Sequence, residues 1–154
     1  MAQNPQASRK DEVVIREFIM ADYDRVMEIW AAGRLPLKQQ GRDGRASIEN
    51  QLRRPNLIFL VAEAEGRVIG TVLATHDGRK GWINRLAVDE SFRKKGLGRR
   101  LVLAAEDRLK AEGMEIYACL IEDWNTVSMA VFERLGYKKY PEIIYFAKRK
   151  HPGV

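Results

Sequence analysis

The stretch that decides the fold reads Leu86-Ala87-Val88-Asp89-Glu90-Ser91-Phe92-Arg93-Lys94-Lys95-Gly96-Leu97-Gly98-Arg99-Arg100-Leu101. Its apolar start predicts a buried strand, and its end predicts the first turn of a helix. A helix begins with backbone N–H groups that have no partner inside the helix, and its dipole places partial positive charge there. The stretch therefore predicts a binding site for a ligand that carries phosphates.

The turn between strand and helix combines two glycines with basic side chains. Gly96 and Gly98 lack a Cβ, so the backbone can take unusual dihedrals and approach a pyrophosphate closely. The spacing Arg-x-x-Gly-x-Gly differs from the nucleotide loop Gly-x-x-x-x-Gly-Lys-Ser/Thr, and it lacks the third glycine of the dinucleotide fingerprint. Taken alone, these residues also fit a plain helix start with a solvated basic rim.

Two segments together resemble the Gcn5-related N-acetyltransferase (GNAT) superfamily. Residues 86–101 resemble its motif A, and the segment Asn125-Thr126-Val127-Ser128-Met129-Ala130-Val131-Phe132-Glu133-Arg134-Leu135-Gly136-Tyr137 is similar to its motif B, at the usual distance. The resemblance extends from about residue 13 to residue 148, because the opening Ile15-Arg16-Glu17-Phe18 also looks like the family's first strand. The pattern is most similar to YpeA-like and RimI-like bacterial acetyltransferases.

Length and composition predict one globular domain. The chain has 154 residues, of which 45% are hydrophobic and 31% charged, and we expect a domain at 13–150, a flexible lead-in at 1–12 and a tail at 151–154. No apolar run approaches the roughly 20 residues that a membrane span needs, which predicts a cytoplasmic protein without membrane contact. The single cysteine, Cys119, excludes an internal disulfide and predicts a buried inert thiol and no metal site.

The formal net charge of +6 is concentrated in residues 93–100 and 148–150. A polyanionic cofactor accounts for the first cluster. The second is interpreted as a solvated terminus, with contact to RNA, the ribosome or an acidic partner as the alternative. Nucleic-acid binding through the basic loop is unlikely, because aromatic residues do not interleave with the charges.

The secondary structure predicted from periodicity and turn signals matches the resemblance. We expect strands at 13–18, 57–64, 67–76, 82–88, 116–121, 137–140 and 143–147, and helices at 22–32, 46–53, 98–111 and 126–135. The loop 33–44 lies where family members vary most with substrate. The expected fold class is an α/β GNAT fold: a mixed, mostly antiparallel sheet of six to seven strands, helices on both faces, and a central splay between the fourth and fifth strands.

The resemblance implies acetyl-coenzyme A as cofactor. Its pantetheine arm would lie in the splay against the main chain of Leu86, Ala87 and Val88, and Asn125 and Arg134 would contact it from the last helix. The pyrophosphate would be held by Arg93, Lys94, Lys95, Gly96, Leu97, Gly98 and Arg99. For Asn125 the alternative is a plain helix cap.

The implied reaction is direct attack of a primary amine, from a small molecule or a protein N-terminus or lysine, on the thioester. The chain departs from the family where it often carries an acid or a base: these positions hold Phe132, Trp82 and Leu120. The remaining candidates for ordering a proton-accepting water are Glu122, Asp123, Asn84 and His76, which also suit solvated or strand-end roles.

Trp82 and Trp124 are candidates for walls of the acceptor pocket, or for packing. A catalytically weak acyl-coenzyme A binding module with a regulatory role is the alternative function. The resemblance also allows a homodimer.

Overall fold

A computed structural model describes residues 12–154. They form one five-stranded sheet with helices on both faces, in the strand order β1-β2-β3-β4-β5. The first four strands are antiparallel, and β5 lies parallel to β4. The strands are β1 (Val14–Glu17), β2 (Leu57–Ala64), β3 (Arg67–His76), β4 (Gly81–Val88) and β5 (Tyr117–Ala118). The helices are α1 (Tyr23–Ala32), α2 (Arg45–Leu52), α3 (Leu97–Ala111) and α4 (Thr126–Arg134). The α/β GNAT fold class is therefore confirmed.

The two faces of the sheet bury separate apolar clusters. On one face α3 presents Leu101, Val102, Ala105 and Leu109 to β2, β3 and β4 at helical spacing. On the other face α1 packs Val26 and Trp30 against Phe59 and Val61 of β2. Because both faces are covered, the strands read as long apolar runs rather than as an apolar–polar alternation.

The predicted hairpin turn between β2 and β3 is present. Glu65 and Gly66 both take left-handed backbone conformations, with φ of 50° and 75°. Two such residues in succession make the turn whose twist matches that of the flanking strands. The turn sets the pairs Ala64 opposite Arg67 and Glu63 opposite Val68, and an irregularity between Ala62 and Glu63 then shifts the register by one residue for the pairs back to Leu57 opposite Thr75.

The splay predicted between the fourth and fifth strands is confirmed. β4 and β5 are paired only at Gly81 opposite Tyr117 and at Trp82 opposite Ala118. Beyond these pairs, β4 keeps its ladder with β3 but has lost its neighbour on the other side. The main chain from Ile83 to Val88 therefore borders an opening on that side.

The expected six to seven strands are corrected to five within residues 12–154. The segments 137–140 and 143–147 do not form strands, and the strand expected at 116–121 shortens to β5. An apolar segment forms a strand only where its backbone can hydrogen-bond to the edge of another strand. β5 is two residues long, so the edge that it presents is too short to pair with a full strand. The consecutive apolar residues Ile143, Ile144, Tyr145 and Phe146 are accordingly exposed.

The expected lead-in at 1–12 lies outside the described residues except for Glu12. At the other end, residues of the expected tail at 151–154 lie against the loop between α1 and α2, where the Arg42 N–H donates to the Gly153 carbonyl at 3.0 Å. No helix within residues 12–154 combines the length and apolar character that crossing a membrane requires.

Leu101→Ala should destabilise the protein strongly, and Ile144→Ala should not. Leu101 is 0% exposed beneath β3, whereas Ile144 is 74% exposed. Removing a buried leucine side chain costs about 2–5 kcal/mol, whereas an exposed substitution stays within about 0.5 kcal/mol. Urea denaturation of both variants measures the difference. An equal loss in Ile144→Ala would mean that the segment 143–147 packs against the sheet in solution.

Candidate functional site

A cleft of about 830 Å³ opens beside the end of β4, where the sheet splays. Four elements enclose it: the end of α1, the end of β4, the turn that begins α3, and one face of α4. Its lining residues are Ala32, Gly33, Arg34, Leu35, Leu86, Ala87, Val88, Glu90, Phe92, Arg93, Lys94, Gly96, Leu97, Gly98, Arg99, Trp124, Asn125, Val127, Ser128, Ala130, Val131 and Arg134.

The turn at the start of α3, residues 93–99, has a backbone that suits an anion, and we call it the anion-binding loop. Lys94 and Gly96 take left-handed conformations, with φ of 62° and 76°, and one residue lies between them. Alternation of left-handed with ordinary residues makes a concavity of N–H groups that binds anions. The first amide of α3 that has a backbone acceptor in this turn is that of Arg100, which donates to the Gly96 carbonyl at 3.1 Å. By helix geometry the amides of residues 97–99 have no acceptor within the helix.

The absence of a side chain at Gly98 leaves room inside the cleft. A Cβ built there would lie 3.9 Å from Val131 of α4, which is an ordinary contact distance. The protein's own packing therefore does not demand glycine at this position. Because a Cβ at Gly98 would stand in the gap between α3 and α4, it would take space from a ligand seated on the α3 amides.

The strand end that faces the anion-binding loop is fixed by side-chain bonds. The Arg93 Nε donates to the Val88 carbonyl at 3.1 Å. Asp89 accepts from the Ser91 N–H at 2.9 Å and from the Arg25 guanidinium. Burial raises the pKa of Asp89, but these hydrogen bonds outweigh it and hold the pKa below its ordinary value. The turn that follows β4 therefore carries an ionised anchor at neutral pH.

One face of α4 forms the opposite wall. Asn125, Ser128, Val131 and Arg134 all line the cleft, and the three-residue spacing makes each a neighbour of the next on the helix surface. The Asn125 side-chain oxygen accepts from the Ser128 N–H at 3.1 Å and so caps the helix. Asn125 lines the cleft as well, and capping leaves its side-chain amide as a donor.

The predicted cofactor residues all line the cleft except Lys95. Its ammonium lies over the ring of Phe92, 5.4 Å from the centroid. The four candidates for proton transfer, Glu122, Asp123, Asn84 and His76, all lie outside the lining. Glu122 and Asp123 are exposed beyond β5, Asn84 pairs with Leu73, which packs against the α1 side of the sheet, and His76 ends β3.

Phe132 is buried in the core rather than exposed to the cleft. Its ring packs edge-on against Tyr137, with centroids 4.9 Å apart. The Tyr137 hydroxyl donates to Glu106 at 2.7 Å, and burial together with this bond raises its pKa. Among the described residues, no tyrosine lines the cleft. Trp124 lines it, whereas Trp82 does not and instead lies beneath the Lys80 ammonium.

The wall formed by the end of α1 was not predicted from the sequence. The helix ends with Gly33 beside β4, where a Cβ would lie 3.8 Å from that of Ala87. Arg34 then takes a left-handed conformation with φ of 58°, a position that glycine usually fills. Glu90, also missed, is the one carboxylate that lines the cleft within residues 12–154.

Cys119 has the properties of a packing residue. It packs against the α3 side of the core, and burial raises the pKa of its thiol to about 11. A thiol with that pKa is protonated at neutral pH, and a protonated thiol is a poor nucleophile. This supports the interpretation of Cys119 as an inert residue.

Comparison with known proteins identifies similar chains. The family model described as the acetyltransferase (GNAT) family matches residues 22–137. A curated relative, "Acetyltransferase plu1384" of Photorhabdus laumondii, is 32% identical over 136 residues, which cover 88% of this chain and 94% of the relative.

Solved structures share the fold at lower identity. A transcriptional regulator from Bacillus halodurans superposes with a TM-score of 0.74 at 18% identity, covering 89% of this chain and all of that one. The PaiA N-acetyltransferase from Thermoplasma acidophilum, solved with coenzyme A, superposes with a TM-score of 0.71 at 19% identity, covering 82% of this chain and 90% of that one.

Gly98→Ala should separate ligand binding from stability. Alanine in a helix is favoured over glycine by up to about 1 kcal/mol, so the fold should become slightly more stable. The added methyl should nevertheless weaken coenzyme A binding at least tenfold, because it stands over the α3 amides. Calorimetry with coenzyme A and a thermal melt of the same variant measure the two effects. Unchanged affinity would show that the ligand does not sit on the start of α3.

Proposed function

The chain belongs to the acetyltransferase (GNAT) family, and from that membership we propose that it transfers the acetyl group of acetyl-coenzyme A directly to a primary amine. One observation carries the proposal. The anion-binding loop before α3 opens into the same cleft as the main chain that β4 exposes where it separates from β5. A long ligand with phosphates at one end and a chain of amides behind them matches that arrangement.

The donor would be held mainly by backbone groups. The amides of residues 96–99, with Arg93, Lys94 and Arg99 around them, suit the pyrophosphate. Leu86, Ala87 and Val88 supply main-chain partners for the amides of the pantetheine arm, and Asn125 adds a side-chain amide. An N–H near Val88 would meet the negative charge that develops on the thioester oxygen.

Proton transfer in this proposal relies on water rather than on a dedicated side chain. A thiolate leaves far more readily than an alkoxide, so the reaction tolerates the lack of a general acid. Holding two reactants together in the right orientation supplies much of the acceleration. None of Glu122, Asp123 and Asn84 lines the cleft, so any contribution they make runs through ordered water and is small.

A regulatory module that binds acyl-coenzyme A without turnover is the second candidate. It is favoured by a cleft that contains no tyrosine and one carboxylate among the described residues. The likeness to a chain described as a transcriptional regulator is consistent with it. Both candidates require the same cofactor site, and release of free thiol in the presence of an amine distinguishes them.

We take the end of α1 as the wall of the cleft that contacts the acceptor. This wall carries positive charge, which favours an acceptor amine that also bears an acidic group. Arg34 lines the cleft at the end of α1, opposite the anion-binding loop. The loop 33–44 contains one carboxylate, Asp43, and this carboxylate is paired with Arg85. A polycationic acceptor would meet an uncompensated arginine here, whereas a carboxylate or phosphate would find a partner.

Free thiol should be released from acetyl-coenzyme A when an amine panel is supplied. With water as the proton acceptor, kcat/KM should rise with pH along the titration of the amine itself. The Glu122→Gln/Asp123→Asn double variant should keep the rate within about threefold, because such exposed groups add little to a step set by positioning. A loss above tenfold would assign these carboxylates to catalysis, and no thiol release with any amine would favour the regulatory module.

Arg34→Gly should alter acceptor choice without harming the fold. Glycine relieves the left-handed strain at this position, so stability should be unchanged or higher. KM for glucosamine 6-phosphate should rise about tenfold, the usual order for one lost charge-assisted contact, while KM for glucosamine stays constant. Steady-state kinetics with both sugars make the comparison. If KM for acetyl-coenzyme A rises instead, Arg34 binds the donor and the acceptor preference is wrong.

A further inference from the structure

We propose that the buried ion pair between Arg85 and Asp43 is a positioning strut that fixes the α1–α2 loop, residues 33–44, against β4 and thereby places the acceptor amine. The inference rests on the proposed acetyl transfer. Neither residue lines the cleft, so both act through the two walls that they join.

The strut begins at a β-bulge in β4. Between the pairs Thr71 opposite Ala87 and Leu73 opposite Asn84, β4 holds two residues where β3 holds one. Arg85 takes a left-handed conformation there, with φ of 53°. A bulge of this kind re-aims a side chain, and the Arg85 side chain extends toward α1.

A hydrogen bond from a buried threonine holds the backbone of the bulge. The Thr71 hydroxyl donates to the Arg85 carbonyl at 3.0 Å and accepts from the Trp30 indole N–H at 2.8 Å. Thr71 and Trp30 are both fully buried, so the bond between them orients the hydroxyl out of contact with water. The position from which the guanidinium extends is therefore fixed.

The guanidinium contacts the loop near both of its ends. Its Nη2 lies 3.1 and 3.0 Å from the two Asp43 carboxylate oxygens, and its Nη1 donates to the Pro36 carbonyl at 2.7 Å. The plane lies over the Trp30 ring, 4.7 Å from its centroid. The side chains of Arg85 and Asp43 are 12% and 6% exposed. Lysine, with a single ammonium, cannot make these contacts together.

Asp43 distributes this hold through the loop. Its carboxylate also accepts from the Lys38 N–H at 2.8 Å, and its carbonyl accepts from the Tyr23 hydroxyl at 2.7 Å. A surface loop of this length would otherwise sample many conformations. Because Pro36, Lys38 and Asp43 all take part in these hydrogen bonds, the first residues of the loop are held beside Ala87 in the cleft.

The cost of this arrangement indicates a positional role. A buried ion pair adds little net stability compared with apolar residues of the same size, because both charges lose their hydration. A left-handed arginine adds backbone strain, because its Cβ crowds the main chain in that conformation. Neither feature favours folding, and what they achieve is a fixed distance between the strand wall and the loop wall of the cleft.

The test compares Arg85→Lys, Arg85→Met and Asp43→Asn with the wild-type protein. KM for the amine should rise at least tenfold, and kcat should fall, while the Kd of coenzyme A stays within twofold. The Arg85→Met/Asp43→Asn double variant should be no worse than either single variant, because each breaks the same strut. Additive losses, or a parallel loss of coenzyme A affinity, would overturn the inference.

A readout independent of turnover separates this inference from the proposed function. Trypsin should cleave after Lys38 or Arg42 at least tenfold faster in Arg85→Met than in the wild-type protein. Arg108→Met is the matched control, because it removes an exposed ion pair with Glu17 outside the loop, and cleavage after Lys38 or Arg42 should not change. Equal cleavage in all three proteins would overturn the strut, whereas absent thiol release would overturn only the enzyme.

Discussion

The separation of β4 from β5 after Trp82 and Ala118 is the constraint on which the rest of the structure depends. Buried backbone groups need partners, and a strand that leaves its neighbour inside a sheet has unsatisfied N–H and C=O groups along one edge. The chain keeps β4 in place through its ladder with β3 and through the α3 packing beneath it. The freed edge then borders the cleft, and α3 begins beyond the end of that edge.

The elements that could be predicted from sequence are those whose signals are local. The apolar spacing of α3, the two-residue turn at Glu65 and Gly66, and the glycine pattern before α3 each depend on a few neighbouring residues. The segments 137–140 and 143–147 have comparable apolar content, yet they form no strands. Whether such a segment forms a strand depends on whether another part of the chain presents an unpaired strand edge, and the neighbouring residues carry no information about that.

The residues of the site also differ in whether the local sequence predicts their position. The basic turn at residues 93–99 could be predicted because backbone geometry and charge there follow from the local sequence, and all of these residues but Lys95 line the cleft. Glu122 and Asp123 follow a strand that stops early, so they lie outside the cleft. Arg85 lies within the apolar run of β4, and no local sequence pattern predicts the β-bulge that directs its side chain to Asp43. In the proposed function, the part of the site that could be predicted would bind the donor, and the part that could not be predicted would position the acceptor.

The distribution of backbone strain supports a mechanism based on positioning. Four residues other than glycine take positive φ within residues 12–154: Arg34, Glu65, Arg85 and Lys94. Glu65 belongs to a hairpin turn that requires this conformation, whereas Arg34 and Lys94 line the cleft and Arg85 holds its strand wall to its loop wall. A covalent route through Cys119 would need a thiolate that its raised pKa disfavours. In the proposed direct transfer, donor and acceptor are held at once, and Arg34, Arg85 and Lys94 line or join the walls that would hold them.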